Sequence, residues 1–199
     1  MKIIDILFAI ICGRIISWVA ADFLKDFGVE IGMYYTLLLW LAFPTLAVFC
    51  LWAAYNIGKK FLFVFQAAKH LLVGAATTVI DLKIFELLFW LLLPAIFLPA
   101  VVIKAASFLL STLLKYWGNK HWAFSRRERE EVRKEILQFF GVTIVGLLLD
   151  VAAFYYFTAV LGSQFNMPAA LWVKTSVLTA AFVAAAWNFL GYKFIVFKK

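Results

Sequence analysis

The segment KYWGNKHWAF, residues 115–124, decides how this chain folds, because it returns as NFLGYKFIVF at residues 188–197. The two stretches share an aromatic residue, a glycine, a lysine and a final phenylalanine at the same spacing, and Lys120 matches Lys193 with a shift of 73 residues. Each stretch ends a long apolar segment. Such self-similarity indicates an internal duplication, which constrains the whole fold.

The apolar segment that precedes each copy is repeated as well. The aligned positions, with a shift of 69 residues, are His70, Gly74, Thr77 and Asp81 in the first copy and Phe139, Thr143, Gly146 and Asp150 in the second. Each repeat unit therefore contains two helices, so that both copies keep the same orientation in a membrane. The duplication predicts a parallel repeat, related by an axis along the membrane normal, rather than an inverted one.

The composition excludes an ordinary soluble domain. Hydrophobic residues make up 66% of the 199 positions, charged residues only 15%, and the mean hydropathy is +0.97. A soluble domain is nearer to half apolar, and it could not hide this much apolar surface from water. The formal net charge of +8 is spread thinly between apolar segments, so that membrane topology explains it better than binding to nucleic acid.

Six apolar segments approach the roughly 20 residues that a helix needs to cross a bilayer. They cover residues 3–24, 33–57, 63–93, 97–119, 136–161 and 168–196. The first is the weakest, because Arg14 near its centre costs about 2.5–3.5 kcal/mol on insertion scales. This segment either spans the membrane, lies along its surface or forms a re-entrant segment.

Basic residues in short connections set the predicted orientation. Lys59 and Lys60 precede the third segment, the connection at residues 125–135 carries five basic residues, and Lys198 and Lys199 follow the sixth segment. The positive-inside rule puts these connections and both termini in the cytoplasm. We therefore predict a multi-pass protein of the cytoplasmic membrane, whose charged connection is a solvated linker rather than a binding site.

These observations predict an all-α membrane protein with a four-helix transmembrane core. An N-terminal helical hairpin at residues 1–60 precedes the first repeat at 61–124, a cytoplasmic linker at 125–135 and the second repeat at 136–199. The N-terminal hairpin either covers the core or mediates self-association. The sequence leaves open whether the protein forms a homo-oligomer.

Placing an ionisable residue inside a membrane span costs free energy, and this makes such residues candidates for function. Each repeat has a carboxylate on its first helix, Asp81 or Asp150, and a lysine on its second, Lys104 or Lys174. One interpretation is structural, with the two acids paired to the two lysines. The other is a cationic cleft for an anionic headgroup. The acids and the lysines differ by roughly 10 Å in their depth in the membrane, so that simple pairing is not assured and a lysine would be available to a ligand.

The repeated helix ends carry further candidates. Basic and aromatic residues at a cytoplasmic helix end are common membrane anchors, which explains Lys120 and Lys193 without a binding role. Lys115 and Asn188 lie about one turn deeper, so that anchoring explains them less well. Because a lysine in one copy matches an asparagine in the other, a two-fold-like cleft built from the repeats is predicted to be lopsided.

Catalytic and metal-binding motifs are missing from the sequence. His70 and His121 have no cysteine and no clustered carboxylates at ligand spacing, and no nucleophile motif or phosphate-binding loop is present. We therefore predict a protein that is not an enzyme and that needs neither a metal nor another cofactor. Cys12 and Cys50 lie inside apolar segments, so that a disulfide framework is not expected.

Residues from about 66 to 197 resemble the GtrA-like family of small membrane proteins. The resemblance rests on the Val-Gly-containing helix at residues 70–81 and on the repeated helix ends at 115–124 and 187–197. Lys115 departs from the pattern that the resemblance implies. The family is expected to have an asparagine at this position, as the second copy has at Asn188. The resemblance covers the four-helix core and leaves the N-terminal hairpin as an extension.

The resemblance implies work on lipid-linked sugars. Members of the family are expected to move polyprenyl-phosphate-linked monosaccharides, such as undecaprenyl-phosphate glucose, across the membrane for the modification of surface polysaccharides. A phosphate in a low-dielectric cleft needs cations, while sugar hydroxyls need carboxylate, amide and aromatic partners. The predicted substrate-binding residues are Asp81, Lys104, Lys115, Trp117, Asn119, Lys120, Asp150, Lys174, Trp187, Asn188 and Lys193.

Among these residues the lysines are expected to contact phosphate, and Trp117 and Trp187 to form aromatic walls. Asp81, Asp150 and Asn188 are expected to contact the sugar or to couple to ions. Two other function classes stay open. One is a small-molecule exporter that exchanges protons against a cationic substrate, although the cation-rich helix faces argue against it. The other is an accessory subunit that presents a lipid-linked sugar to a membrane glycosyltransferase, which needs the same cleft.

Overall fold

The computed structural model describes residues 1–26, 32–92, 100–125, 132–164 and 169–197. These residues form six α-helices, three of which continue into a π-helical turn. The elements are α1 (Ile3–Asp26), α2 (Met33–Gly58), α3 (Leu62–Leu92), α4 (Ala100–Gly118) with π1 (Asn119–Ala123), α5 (Val132–Tyr155) with π2 (Tyr156–Leu161), and α6 (Ala169–Gly191) with π3 (Tyr192–Val196). Each of the six predicted segments therefore corresponds to one helix.

The chain divides into two compact units. Unit 1, Met1–Arg127, contains the N-terminal hairpin and the first repeat, and unit 2, Glu128–Lys199, contains the second repeat. Helix α5 begins at Val132, so that the end of the predicted linker at 125–135 belongs to a helix. The four-part division of the chain made from the sequence stays a prediction.

Four stretches within the described residues are long and apolar enough to cross a bilayer. They are Ile3–Ala20, Met33–Gly58, Val132–Leu161 and Thr179–Val196. The predicted spans at 63–93 and 97–119 correspond to α3 and α4, which are not among these four, so that the count of six spans stays a prediction. The helical architecture and these stretches confirm the class predicted from the sequence, an all-α, multi-pass membrane protein.

Helix α2 supplies a partner for the arginine that interrupts the first apolar segment. Pro44 has no N–H, so that the carbonyl of Trp40 four residues earlier lacks its usual helical donor. The Arg14 guanidinium donates to this carbonyl at 2.6 Å, and its carbon lies 4.5 Å from the centre of the Trp40 ring. Helix α1 is continuous over 24 residues, which is not the broken geometry of a re-entrant segment.

A glycine allows the close approach of α1 and α2. A Cβ at Gly13 would lie 2.5 Å from the Cα of Pro44 and 2.8 Å from the carbonyl oxygen of Phe43, both of which are backbone atoms. Backbone atoms cannot rotate away, so that we expect Gly13→Ala to lower the free energy of unfolding by about 1–3 kcal/mol, measured by thermal unfolding in detergent. Gly74→Ala is the matched control, because nothing lies within 4 Å of a Cβ there. Equal losses in the two variants would contradict this close approach.

Helix α3 is the central element of unit 1, and it packs against α1, α2 and α4. The i, i+3 spacing of Lys83 and Glu86 predicts an ion pair, which the structure confirms at 2.8 Å. The Lys83 ammonium also lies 5.8 Å from the centre of the Trp18 ring in α1. The N-terminal hairpin therefore packs onto the first repeat as part of the same unit.

Candidate functional site

The second helix of each repeat ends in a π-helical turn. In π1 the N–H of Phe124 donates to the carbonyl of Asn119 at 2.9 Å, and after π3 the N–H of Phe197 donates to the carbonyl of Tyr192 at 2.7 Å. The two bonds join equivalent positions under the shift of 73 residues. π-Helical turns are rare and often lie at functional sites, so that their duplication marks the helix ends as candidates.

A glycine packs against a valine immediately before each of these turns. A Cβ on Gly118 would lie 3.0 Å from a methyl group of Val73, and a Cβ on Gly191 would overlap a methyl group of Val142. The two valines differ by 69 positions and the two glycines by 73. The shifts found in the sequence therefore also relate the contacts inside the two hairpins.

The contact at the start of the π-helical turn is polar in unit 1 and aromatic in unit 2. The Asn119 amide nitrogen donates to the carbonyl of Lys115 at 2.8 Å, which leaves its oxygen to accept a hydrogen bond from His70 Nδ1 at 2.8 Å. At the equivalent positions of unit 2, Phe139 and Tyr192 stack with ring centres 4.2 Å apart. Asn119 is fully buried, so that its amide holds π1 in place.

The two lysines of the π-helical turns have different surroundings. Lys120 is buried, and its ammonium donates to the hydroxyl of Tyr116 at 3.1 Å. Lys193 is half-buried, and its Nζ lies 5.8 Å from the ring centre of Phe189 and 5.5 Å from that of Phe194. Lys193 is therefore the more accessible of the two cations.

The two intramembrane carboxylates occupy equivalent positions but have different neighbours. The hydroxyl of Ser107 in α4 donates to Asp81 Oδ1 at 2.8 Å. The residue that matches Ser107 in unit 2 is Ala180, which has no hydroxyl to donate. Both carboxylates are half-buried, and Asp150 makes no hydrogen bond or ion pair with the side chains that the structure describes. Asp81 is thus held by its own hairpin.

The position one turn before π3 carries an unsatisfied amide. Asn188 is 7% exposed, and its Oδ1 accepts no hydrogen bond from the described part of the chain. A Cβ on Gly146 would overlap this oxygen, so that a glycine is needed opposite it. Lys115, the equivalent residue of unit 1, is half-buried. Because buried oxygens are nearly always paired, the Asn188 oxygen is a candidate acceptor for a ligand hydroxyl.

The two predicted aromatic walls are unequal. The indole N–H of Trp187 donates to the carbonyl of Val142 at 3.1 Å, which ties α6 to α5. Trp117 is 52% exposed, and its ring centre lies 6.3 Å from that of Phe8 and 5.4 Å from that of His121. Trp117 therefore offers an exposed ring face, while the polar atom of Trp187 has a structural partner.

Two predicted site residues cannot be placed against the others. The side chains of Lys104 and Lys174 lie outside the described residues, although the backbones of α4 and α6 are described around them. Among the described residues, no three His, Cys, Asp or Glu side chains are grouped as metal ligands.

The profile of the GtrA/DPMS transmembrane domain matches residues 69–197, about two thirds of the chain. The chain belongs to this family. The match begins in α3 and ends just after π3, so that it covers most of both repeats and confirms the resemblance found in the sequence. Comparisons with curated proteins and with solved structures gave no match.

One buried ionic cluster at the start of the GtrA/DPMS domain was not predicted. Lys69 Nζ lies 2.5 Å from Asp5 Oδ1, and the indole N–H of Trp122 donates to the same oxygen at 3.1 Å. These residues lie far apart in the sequence, so that no helical spacing connects them. The sequence does show that Asp5 and Lys69 are opposite charges inside apolar segments, each of which needs a partner.

Proposed function

We propose that this member of the GtrA/DPMS family binds a polyprenyl-phosphate-linked monosaccharide in the cytoplasmic membrane and moves its headgroup across the bilayer. The sugar would serve the glycosylation of cell-surface polysaccharide. In this proposal the protein is a carrier and not an enzyme, both termini are cytoplasmic, and the prenyl tail stays in the lipid. The observation that carries the proposal is the pair of polar positions, Lys115 and Asn188, on equivalent turns of two duplicated hairpins.

Lys115 in unit 1 and Lys193 in unit 2 are the residues that we propose for contact with phosphate, each within its own unit. Both are half-buried cations at the end of a hairpin, where a charge-assisted hydrogen bond to phosphate is stronger than in water. Lys104 and Lys174 are further candidates on the same two helices, from their positions in the sequence.

Asn188 is the residue that we assign to the sugar. Its buried oxygen lacks a donor, and a sugar hydroxyl supplies one. Asp150 is a second acceptor for hydroxyls in the same unit. In unit 1, the exposed ring of Trp117 is our candidate for an apolar contact with a sugar. A sugar that fills these acceptors would satisfy polar atoms that the described chain leaves unpaired.

The remaining predicted site residues are assigned as positioning residues. Asn119, Lys120 and Trp187 use their polar atoms in bonds that fix the helix ends, and Asp81 accepts a hydrogen bond from Ser107. Their replacement would therefore change the geometry of the site rather than remove a direct contact.

The assignment of Asn188 predicts a loss that depends on the sugar. We expect Asn188→Ala to weaken the binding of undecaprenyl-phosphate glucose to the purified protein by roughly threefold to tenfold, because one hydrogen bond is lost. Binding of undecaprenyl phosphate without a sugar should stay unchanged. Asn56→Ala is the matched control, because that amide donates to the carbonyl of Trp52 within α2. Equal affinity of Asn188→Ala and wild type for the glucose lipid would contradict the assignment.

A further inference from the structure

Three donors converge on the Asp5 carboxylate in unit 1. Lys69 Nζ lies 2.5 Å from Oδ1, the Trp122 indole N–H donates to Oδ1 at 3.1 Å, and the backbone N–H of Lys2 donates to Oδ2 at 2.9 Å. The residues Asp5, Lys69 and Trp122 are 4%, 7% and 3% exposed. Such a buried carboxylate with an ammonium and two N–H donors occupies a complete anion-binding site.

Aromatic rings enclose this site. The Lys69 ammonium lies 4.3 Å from the ring centre of Phe65 and 5.6 Å from that of Trp122. Phe8 stacks on Trp122 with ring centres 5.0 Å apart. The rings exclude water, and electrostatic attraction between an anion and Lys69 is therefore stronger here than at the protein surface.

The cation and the anion come from different parts of the chain. Lys69 and Trp122 lie inside the range that matches the GtrA/DPMS domain, residues 69–197, whereas Asp5 belongs to the N-terminal hairpin. The domain thus contributes the positive half of the site, and the extension contributes the negative half. Asp5 lies in the first turn of α1.

We propose that Lys69 and Trp122 form a binding site for a phosphate group, and that Asp5 occupies this site as an internal competitor. A phosphate displaces the Asp5 carboxylate and takes over the Lys69 ammonium and the Trp122 N–H. The N-terminal hairpin is then an autoinhibitory element that lowers the affinity of the domain for phosphate. The site lies outside the residues assigned to the headgroup above, and the proposal does not depend on transport or on a sugar.

The test measures phosphate affinity after removal of the competitor. Asp5→Asn keeps the size of the side chain and removes its charge, and we expect it to raise the affinity of the purified full-length protein at least about tenfold. One arm uses undecaprenyl phosphate in detergent micelles and the other uses inorganic phosphate. A gain with the lipid alone identifies a lipid headgroup as the ligand, and a gain with both identifies a site for phosphate in general.

Two further variants decide between competition and a merely structural pair. Lys69→Gln added to Asp5→Asn should abolish the gain, whereas Lys83→Gln, which removes a lysine from the same helix, should leave it intact. Trp122→Phe in the otherwise unchanged chain keeps the stacked ring and should weaken phosphate binding by about threefold or more.

Several results would overturn the proposal. An unchanged affinity of folded Asp5→Asn in both arms is one, and a gain that survives Lys69→Gln is another. If Asp5→Asn does not fold, an unchanged affinity of Trp122→Phe overturns it. None of these readouts contains a sugar, so that a failure of the sugar-binding function is recognised separately.

Discussion

Asp5→Ala is expected to lower the free energy of unfolding of the protein by about 3–5 kcal/mol, because it leaves the buried Lys69 ammonium without a counter-ion. The pair is desolvated on both sides, since Asp5 and Lys69 are both buried. Thermal unfolding followed by circular dichroism in detergent micelles measures this loss as a decrease in Tm.

Two further variants test whether this loss of stability comes from the buried ion pair. Glu86→Ala breaks the ion pair between Glu86 and Lys83. Because the Glu86 side chain is half exposed, the free energy of unfolding should fall by about 0.5 kcal/mol or less. Replacing Asp5 and Lys69 together with Leu and Met should recover most of the stability that Asp5→Ala loses. Equal Tm values for Asp5→Ala and Glu86→Ala would show that the buried pair does not stabilise unit 1.

Lys115→Gln is expected to weaken the binding of polyprenyl-phosphate lipids by about tenfold to a hundredfold, the largest effect on function that we expect. The substitution keeps most of the side-chain length and removes the charge that we propose for contact with the phosphate. Because the phosphate is present in both ligands, undecaprenyl phosphate and undecaprenyl-phosphate glucose should lose affinity equally. Equilibrium binding to the purified protein measures both values.

A matched lysine separates this effect from a change in net charge. Lys83→Gln removes one positive charge from α3, where the lysine is paired with Glu86, and should leave both affinities unchanged. If Lys115→Gln binds both lipids as tightly as the wild type does, Lys115 does not contact the phosphate. If it weakens only the glucose lipid, Lys115 contacts the sugar instead.

The elements of the fold and the internal register of the repeats could be predicted, because both depend on patterns along the chain. Apolar length sets the ends of a membrane helix to within a few residues, as in α2, predicted at 33–57 and found at Met33–Gly58. The shifts of 69 and 73 residues also place Gly118 and Gly191 against equivalent valines. Duplicated sequence implies duplicated packing.

Contacts between distant segments could not be predicted in the same way. Arg14 donates to a carbonyl that Pro44 leaves without a helical donor. Asp5 on α1 forms an ion pair with Lys69 on α3. Each partner is visible in the sequence as an isolated polar residue, but the pairing depends on how helices pack in three dimensions. The π-helical turns were also missed, because a shift from i+4 to i+5 bonding leaves no mark in hydropathy.

The sequence identifies candidate site residues by their type, but the surroundings of each side chain could not be predicted from it. The sequence singled out Asn119 and Asn188 as ligand-binding amides, but only Asn188 has an oxygen without a described donor. Whether a polar side chain is satisfied depends on its neighbour, which is His70 for Asn119 and Gly146 for Asn188. Burial and pairing, rather than spacing, therefore distinguish a binding residue from a positioning residue.

Transport of undecaprenyl-phosphate glucose in liposomes that contain the purified protein tests the central claim most directly. The lipid is incorporated on one face, and the fraction of glucose headgroups that becomes accessible on the other face is followed over time. We predict protein-dependent movement that Lys115→Gln slows and Lys83→Gln does not. Tight binding without movement of the headgroup would contradict the claim of transport and would leave the role of an accessory subunit that presents the lipid to a glycosyltransferase.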